Sequence, residues 1–129
     1  MPAPAAAVVE AYLASLAASF RTLGDDAWGL SVEAAGDALH IGLALRRGLL
    51  RAQAPVLAAG RVTAAELLLR NRGLRLVRYT HGDDGTVWVE GDLPPEAVSP
   101  KRLDELLGSL VAAATVARER AVGGRPEGA

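Results

Sequence analysis

Residues 38–45 read Ala-Leu-His-Ile-Gly-Leu-Ala-Leu, and this stretch decides the fold class. Large apolar side chains at every second position alternate with smaller or polar ones. Because successive side chains of a strand point to opposite faces, the alternation predicts a β-strand with one buried face. The pattern predicts further strands before it, over residues 28–34, and after it, over residues 50–56. Pro55 has no N–H for a ladder, so we expect it at a sheet edge or at the end of its strand.

Helical signals lie on both sides of these strands. Apolar residues at helical spacing predict a first helix over residues 5–23, which the following glycine ends. Thr63 and Glu66 have the spacing of a capping box and predict a short helix over residues 64–71. A serine–proline pair predicts the start of a long last helix, over residues 100–122.

Two more strands are predicted between the second and the last helix. Residues 74–80 and 86–90 carry strand patterns, and the loop 81–85 between them contains Asp-Gly, a pair typical of tight hairpins. Residues 91–95 are expected to form a rigid exit loop. The resulting order, α-β-β-β-α-β-β-α, predicts an α+β fold with a five-stranded antiparallel sheet flanked by helices.

The composition favours one domain with a substantial core. The chain has 129 residues, of which 50% are hydrophobic and 4% aromatic, and it has no cysteine. We expect a single domain over residues 1–122 and a disordered tail over residues 123–129. The absence of cysteine excludes a disulfide scaffold and a thiolate zinc site. No apolar run approaches the roughly 20 residues of a membrane helix, so a cytoplasmic protein is expected.

Residues that could carry chemistry are few and scattered. His40 falls within a strand and His81 within a turn, and neither belongs to a nucleophile or metal motif. Asp83 and Asp84 lack the ligand spacing of a calcium loop. The glycines between strands do not open a helix, as a phosphate-binding loop requires. The sequence therefore predicts no catalytic residue, no cofactor, no metal and no enzymatic activity.

Charge is unevenly distributed although the net charge is only −1. The stretch from Arg46 to Arg78 holds eight arginines and one acidic residue, and the stretch from Gly82 to Glu105 holds seven acidic residues and two basic ones. One interpretation is that the two stretches neighbour each other, on one sheet or on two packed subunits. Another is that the basic stretch binds nucleic acid, as phosphate-binding surfaces are built from such clusters.

The short second helix carries more leucine than one sheet face can cover. Leu67, Leu68 and Leu69 are adjacent and so occupy most of the helix circumference. A symmetric dimer would bury the surplus, and we predict a homodimer interface that includes Leu68, Leu69 and Arg72. The alternative is that the last helix covers these leucines within one subunit. For contact with a different protein, the predicted residues are Arg75, Arg78, Tyr79 and Trp88.

Two stretches carry a family resemblance. Residues 67–79, Leu-Leu-Leu-Arg-Asn-Arg-Gly-Leu-Arg-Leu-Val-Arg-Tyr, and residues 87–94, Val-Trp-Val-Glu-Gly-Asp-Leu-Pro, resemble the YbjN family. That family is similar in fold to class I type III secretion chaperones, and the similarity covers roughly residues 20–117. The resemblance implies a curved antiparallel sheet, a homodimer, and no catalytic residues to carry over.

The same resemblance implies a function in binding protein. The chaperone relatives bind an extended partner segment along exposed strands and apolar grooves, whereas the YbjN branch is linked loosely to regulation and stress. We therefore predict a non-enzymatic, homodimeric protein-binding module, chaperone-like or regulatory. The alternative is a nucleic-acid-binding accessory protein that uses Arg46–Arg78. A small-molecule sensor is a weaker third hypothesis, because no polar constellation in the sequence supports it.

Overall fold

A computed structural model of the chain describes residues 4–123. Its three helices, six strands and one 3-10 turn follow the chain in this order: α1 Ala5–Ser15, β1 Phe20–Gly24, β2 Ala27–Ala34, β3 Asp37–Arg46, β4 Leu49–Leu57, α2 Ala64–Asn71, β5 Val77–His81, β6 Val87–Leu93, the turn Pro95–Ala97 and α3 Pro100–Gly123. Within this range no helix is both long and apolar enough to span a membrane. The predicted tail, apart from residue 123, lies outside the described residues and stays a prediction.

All six strands form one antiparallel sheet in the order β1-β2-β3-β4-β6-β5. The α+β class and the antiparallel sheet flanked by helices are confirmed, but the predicted number of five strands was wrong. Helix α1 stops at Ser15, and Leu16 is already extended, with φ −80° and ψ 155°. Residues 20–24 form β1, which pairs with β2 through a tight turn. The apolar spacing had predicted that the helix continues to residue 23. It does not, because the backbone groups of residues 20–24 form their hydrogen bonds with β2 instead.

Two other strand boundaries differ from the prediction. β5 begins at Val77, three residues late, because Leu76 has a φ of 71° that an extended strand cannot contain. β6 runs on through Leu93, where an exit loop was expected. The extension follows from the length of β4, whose Leu50 still pairs with Leu93 at the far end of the ladder. Pro55 lies where the β4–β6 register shifts, near the end of its strand.

Helices α1 and α3 cover one face of the sheet, which we call the inner face. Every second residue of β3, β4 and β6 points to them, and α3 supplies a stripe of leucine and alanine. Side chains less than 2% exposed anchor this layer, among them Trp28, Leu39, Leu50, Val89, Leu103, Leu106 and Leu110. Burying each such aliphatic side chain contributes about 1.5–3 kcal/mol, so the inner face supplies most of the stability.

Arg118 fixes the angle of α3 over the sheet. Its guanidinium donates hydrogen bonds to the carbonyl oxygens of Val56, Ala34, Asp37 and Ala38, at 3.0 to 3.2 Å. Val56 belongs to β4, Ala34 is the last residue of β2, and Asp37 and Ala38 begin β3. One cation therefore satisfies backbone acceptors from three strands at once.

Gly91 lets β6 come close to α3 and to the loop that contains Leu76. A Cβ at this position would lie 2.6 Å from the carbonyl oxygen of Leu76 and 2.7 Å from Cδ1 of Leu106. Gly42, also within a strand, has no atom within 4 Å of the corresponding Cβ position. The two strand glycines therefore differ in the space around them.

We expect Gly91→Ala to lower the free energy of unfolding by about 1–3 kcal/mol, because the added methyl group forces the Leu76 loop or α3 away from the sheet. The matched change Gly42→Ala should stay within about 0.5 kcal/mol of the wild type. Urea denaturation of the three proteins, followed by circular dichroism, measures the difference. Equal stability of the two variants would contradict the close packing at Gly91.

Candidate functional site

The outer face of the sheet, opposite the helices, carries a ladder of ion pairs. Nε of Arg51 donates to Oδ1 of Asp92 at 2.7 Å, and Nη2 of Arg78 contacts Oε1 of Glu90 at 2.9 Å and Oδ2 of Asp92 at 3.2 Å. Adjacent strands hold these residues in register, because Arg51 on β4 pairs with Asp92 on β6, and Glu90 on β6 pairs with Arg78 on β5. The hydrogen bond from Arg51, helped by Arg78, lowers the pKa of Asp92.

This ladder explains part of the charge asymmetry in the sequence. Arg51 and Arg78 come from the basic stretch, and Glu90 and Asp92 come from the acidic one. For these residues, the interpretation that the two stretches neighbour each other on one sheet is confirmed. Their charges cancel in pairs, so the centre of the outer face is not a continuous basic surface of the kind that phosphate backbones require.

A groove lies on the outer face beside the ladder, between β1 and β4. Its volume is about 640 Å³, and the small residues Ala27, Gly42 and Ala44 contribute to its floor. Leu23 on β1 and Leu49 on β4 also line it and are 57% and 38% exposed. The Leu23 side chain lies over Gly29, where an added Cβ would come within 3.0 Å of it. The groove thus has an apolar floor and an exposed leucine on each flank.

Three arginines also line this groove, and none of its lining residues within the described range is acidic. Arg46 is held by the backbone, since its Nη1 donates to the carbonyl oxygens of Asp25 and Leu45 at 3.1 and 2.8 Å. Arg47 is exposed at the turn into β4, and Arg51 belongs to the ion-pair ladder. The groove therefore combines apolar surface with positive charge.

The residues predicted to contact a partner do not lie together. Arg78 and Trp88 share the outer face, and Arg75 is exposed in the loop before β5. Tyr79 points to the inner face, is 4% exposed, and donates from its hydroxyl to the carbonyl oxygen of Ala113 at 2.6 Å. A partner-contacting role for Tyr79 does not fit this burial. Burial raises the pKa of Tyr79, as expected for a phenol within a core.

Helix α2 presents two of its leucines to solvent. One half of the predicted capping box forms: the Glu66 N–H donates to Oγ1 of Thr63 at 3.1 Å, while the Glu66 carboxylate accepts from Arg70. Leu67 is buried, whereas Leu68 and Leu69 are 70% and 62% exposed. The last helix therefore does not cover these two leucines within one chain. Arg72, the third residue of the predicted dimer interface, is exposed just after α2.

Asn71, the last residue of α2, closes the edge of β5. Its side-chain amide donates to the carbonyl oxygen of Tyr79 at 3.0 Å, and its Oδ1 accepts the Tyr79 N–H at 2.8 Å. These two backbone groups point away from β6, toward the side where a further strand would add. The Asn71 side chain thus makes the two hydrogen bonds that a neighbouring strand would make. Such bonds protect an exposed sheet edge from pairing with another strand. β1, at the other end of the sheet, has exposed side chains over residues 21–24.

The two histidines lie on the sheet surface and in a loop. His40 contacts Oγ of Ser31 at 2.7 Å on the outer face, and Nδ1 of His81 lies 3.0 Å from the carbonyl oxygen of Gly82. Among residues 4–123, no three histidine, cysteine or acidic side chains are grouped as a metal site would require.

Comparison with known proteins identifies the family. The sequence model of YbjN, described as "Putative bacterial sensory transduction regulator", matches residues 5–120. The chain belongs to the YbjN family. No curated protein sequence matches it.

Two solved structures of type III secretion chaperone complexes have a similar fold. A chain of the HopA1–SchA chaperone–effector complex has a TM-score of 0.69 and 13% sequence identity, and covers 88% of this chain and 91% of its own length. A chain of the complex between the Yersinia pestis type III secretion chaperone SycH and a stable fragment of YscM2 has a TM-score of 0.63 and 18% identity, with coverages of 87% and 98%. This YbjN protein therefore has the fold of those chains, as the resemblance implied.

Sequence reasoning missed the groove and the role of Asn71. The alternation in β3 separated Gly42 and Ala44 from the leucines, but it could not show that β1 exists and places Leu23 beside them. Asn71 lies in the stretch over residues 67–79 that resembles the family, but that stretch does not indicate its partner. Its hydrogen bonds depend on where β5 lies, which no local signal specifies.

We expect Asn71→Ala to lower the free energy of unfolding by about 1–3 kcal/mol, since two backbone groups lose their partners. Hydrogen exchange read by NMR should show faster exchange of the Tyr79 amide and unchanged protection of Val89 within the sheet. Asn71→Asp is the matched variant, because it keeps the acceptor for the Tyr79 N–H and loses the donor. Unaltered Tyr79 exchange in Asn71→Ala would refute the edge-closing role.

Proposed function

We propose that this YbjN protein is a non-enzymatic protein-binding module, and that the groove between β1 and β4 binds an extended segment of a partner protein. The single observation that carries the proposal is the groove itself, an exposed apolar trench on the helix-free face. Helix-free faces of soluble antiparallel sheets are normally polar. Apolar floor and flanks on such a face are typical of a binding surface.

The chemistry of the groove favours a particular kind of segment. Ala44 on the floor and the flanking Leu23 and Leu49 would accept apolar side chains. Arg46 and Arg47 add positive charge at one end, where an acidic residue of the segment would be attracted. The expected partner segment is therefore extended, with apolar residues next to an acidic one.

The neighbouring strand offers a way to hold the backbone of that segment. β1 forms one end of the described sheet, and a partner strand could add to it through main-chain hydrogen bonds. At the opposite end, Asn71 already occupies the Tyr79 backbone groups, so the β5 edge is less available. Strand addition at β1 would bring alternate side chains of the segment toward Leu23.

The fold supports a function of this class. The HopA1–SchA and SycH–YscM2 structures are complexes of secretion chaperones with other proteins, and their chains share this fold. The description of the YbjN family points to regulation rather than secretion. A regulatory module that binds a protein segment is consistent with both.

We further propose that the module is a homodimer formed through α2. Leu68 and Leu69 are the most exposed large apolar side chains in the described range, and Arg72 lies at their border. Leaving two adjacent leucines in water is unfavourable, so a symmetric contact between two copies of α2 would stabilise both chains. For contact with a different protein we retain Arg75, Trp88 and Arg78, the last of which is also paired with Glu90 and Asp92.

Peptides selected from a random library against the wild-type protein should depend on the groove. We expect Ala44→Gln to weaken their binding at least about tenfold, or about 1.4 kcal/mol, because the longer side chain fills the floor. Fluorescence anisotropy with labelled peptides measures the affinity.

The matched control is Ala38→Gln, the same change on the same strand outside the groove, which should leave the affinity unchanged. Equal effects of the two changes would overturn the groove as the binding surface. If no peptide is selected and the protein instead binds nucleic acid with an affinity that falls steeply as salt rises, the alternative function in nucleic-acid binding is favoured.

Light scattering at several concentrations should give a mass near twice the chain mass of 13.3 kDa. The double change Leu68→Gln and Leu69→Gln is expected to shift the protein to the single-chain mass, because it removes the apolar contact. Leu23→Gln, on a different exposed leucine, should leave the mass of the dimer unchanged. A single-chain mass for the wild type at high concentration would rule out the homodimer.

A further inference from the structure

A second pocket lies at the other end of the molecule, where the loop between α2 and β5 faces α3. Its volume is about 430 Å³, within the roughly 300–1,000 Å³ of small-ligand sites. Leu74 and Val116 line it, and Tyr79 contributes to its wall. The pocket is separate from the groove on the outer face, because Tyr79 points to the inner face.

Three arginines surround this apolar pocket. Arg70 comes from α2, Arg75 from the loop after it, and Arg120 from the last turn of α3. None of the lining residues in the described range is acidic. On the outer face Arg51 and Arg78 are paired with carboxylates; here, within the described residues, only Arg70 has such a pair, with Glu66 of its own helix.

Arg70 is the most constrained of the three. Its Nε donates to Oε2 of Glu66 at 3.0 Å, one helical turn away, and its side chain is 14% exposed. Its Nη1 is buried and has no hydrogen-bond partner within residues 4–123. A buried charged donor without an acceptor is costly, so this guanidinium would gain from an added acceptor.

The positive charge of the pocket also reaches Tyr79. Burial raises the pKa of this phenol, and the charges of Arg70 and Arg120 oppose that rise. The Tyr79 hydroxyl donates to the carbonyl oxygen of Ala113 and so keeps its proton, and a neutral phenol does not offset the charge of the two arginines. Two guanidinium groups on different helices therefore act on the same wall of the pocket.

We propose that this pocket binds a carboxylate attached to a short apolar group. The guanidinium groups would receive the carboxylate, as arginine binds carboxylates with paired, charge-assisted hydrogen bonds. Leu74 and Val116 would contact the apolar part. Such a group occurs in a free carboxylic acid and at the C-terminus of a polypeptide that ends in an apolar residue. The proposal does not depend on the groove.

NMR titration with hexanoate tests the site, with 1-hexanol as the uncharged match. We expect saturable shifts of the Gly73, Ala112 and Ala113 amides with hexanoate, and an affinity for hexanol at least about tenfold lower. Arg75→Gln and Arg120→Gln should each weaken hexanoate binding several-fold. Both residues are exposed, so the spectra should otherwise keep the wild-type pattern.

Arg47→Gln is the control, because it removes an exposed arginine from the groove and should leave hexanoate binding unchanged. Acetyl-Ala-Ala-Leu with a free or an amidated C-terminus distinguishes the two sources of the carboxylate. Tighter binding of the free-ended peptide than of hexanoate identifies a polypeptide terminus, and the reverse identifies a small acid. Equal binding of hexanoate and hexanol, or an affinity that neither pocket variant changes, would overturn the proposal.

Discussion

Helices α1 and α3 cover the same face of a six-stranded sheet, and the rest of the structure depends on this one-sided burial. Leucines of α3 such as Leu106 and Leu110 pack against the inner residues of the central strands. Gly91 lets α3 come close, and Arg118 fixes its angle by binding the carbonyls of three strands. Because the helices are used on the inner face, the outer face stays open to solvent.

An open sheet face must be stable in water, and under the proposed function it must also bind a partner segment. Ion pairs around Arg51 and Asp92 make the centre of the face stable in water, because charges from distant parts of the sequence cancel there. Small residues such as Ala44 provide the proposed binding surface, because they leave a groove between the larger residues of β1 and β4. The same face therefore combines a neutralised polar region with an apolar groove.

The two edges of the sheet differ in how their backbone groups and side chains are covered, and each proposed site lies at a different edge. At β5, Asn71 occupies the backbone groups that an added strand would use, and the loop beside it forms the arginine-lined pocket against α3. At β1, the side chains are exposed and the groove begins. In the two proposals, partner segments therefore bind at one end of the sheet and a compact anionic group at the other.

The sequence by itself determined the elements that have strong local causes. The alternation around Leu39, the capping box of α2 and the Ser-Pro start of α3 gave correct elements, because period and capping act within a few residues. Only the tertiary structure decided that residues 20–24 pair as β1, that Asn71 meets Tyr79, and that Arg70 and Arg120 share one pocket. Those outcomes depend on contacts between residues far apart in the chain, which are set by how the helices pack on the sheet and carry no local signal.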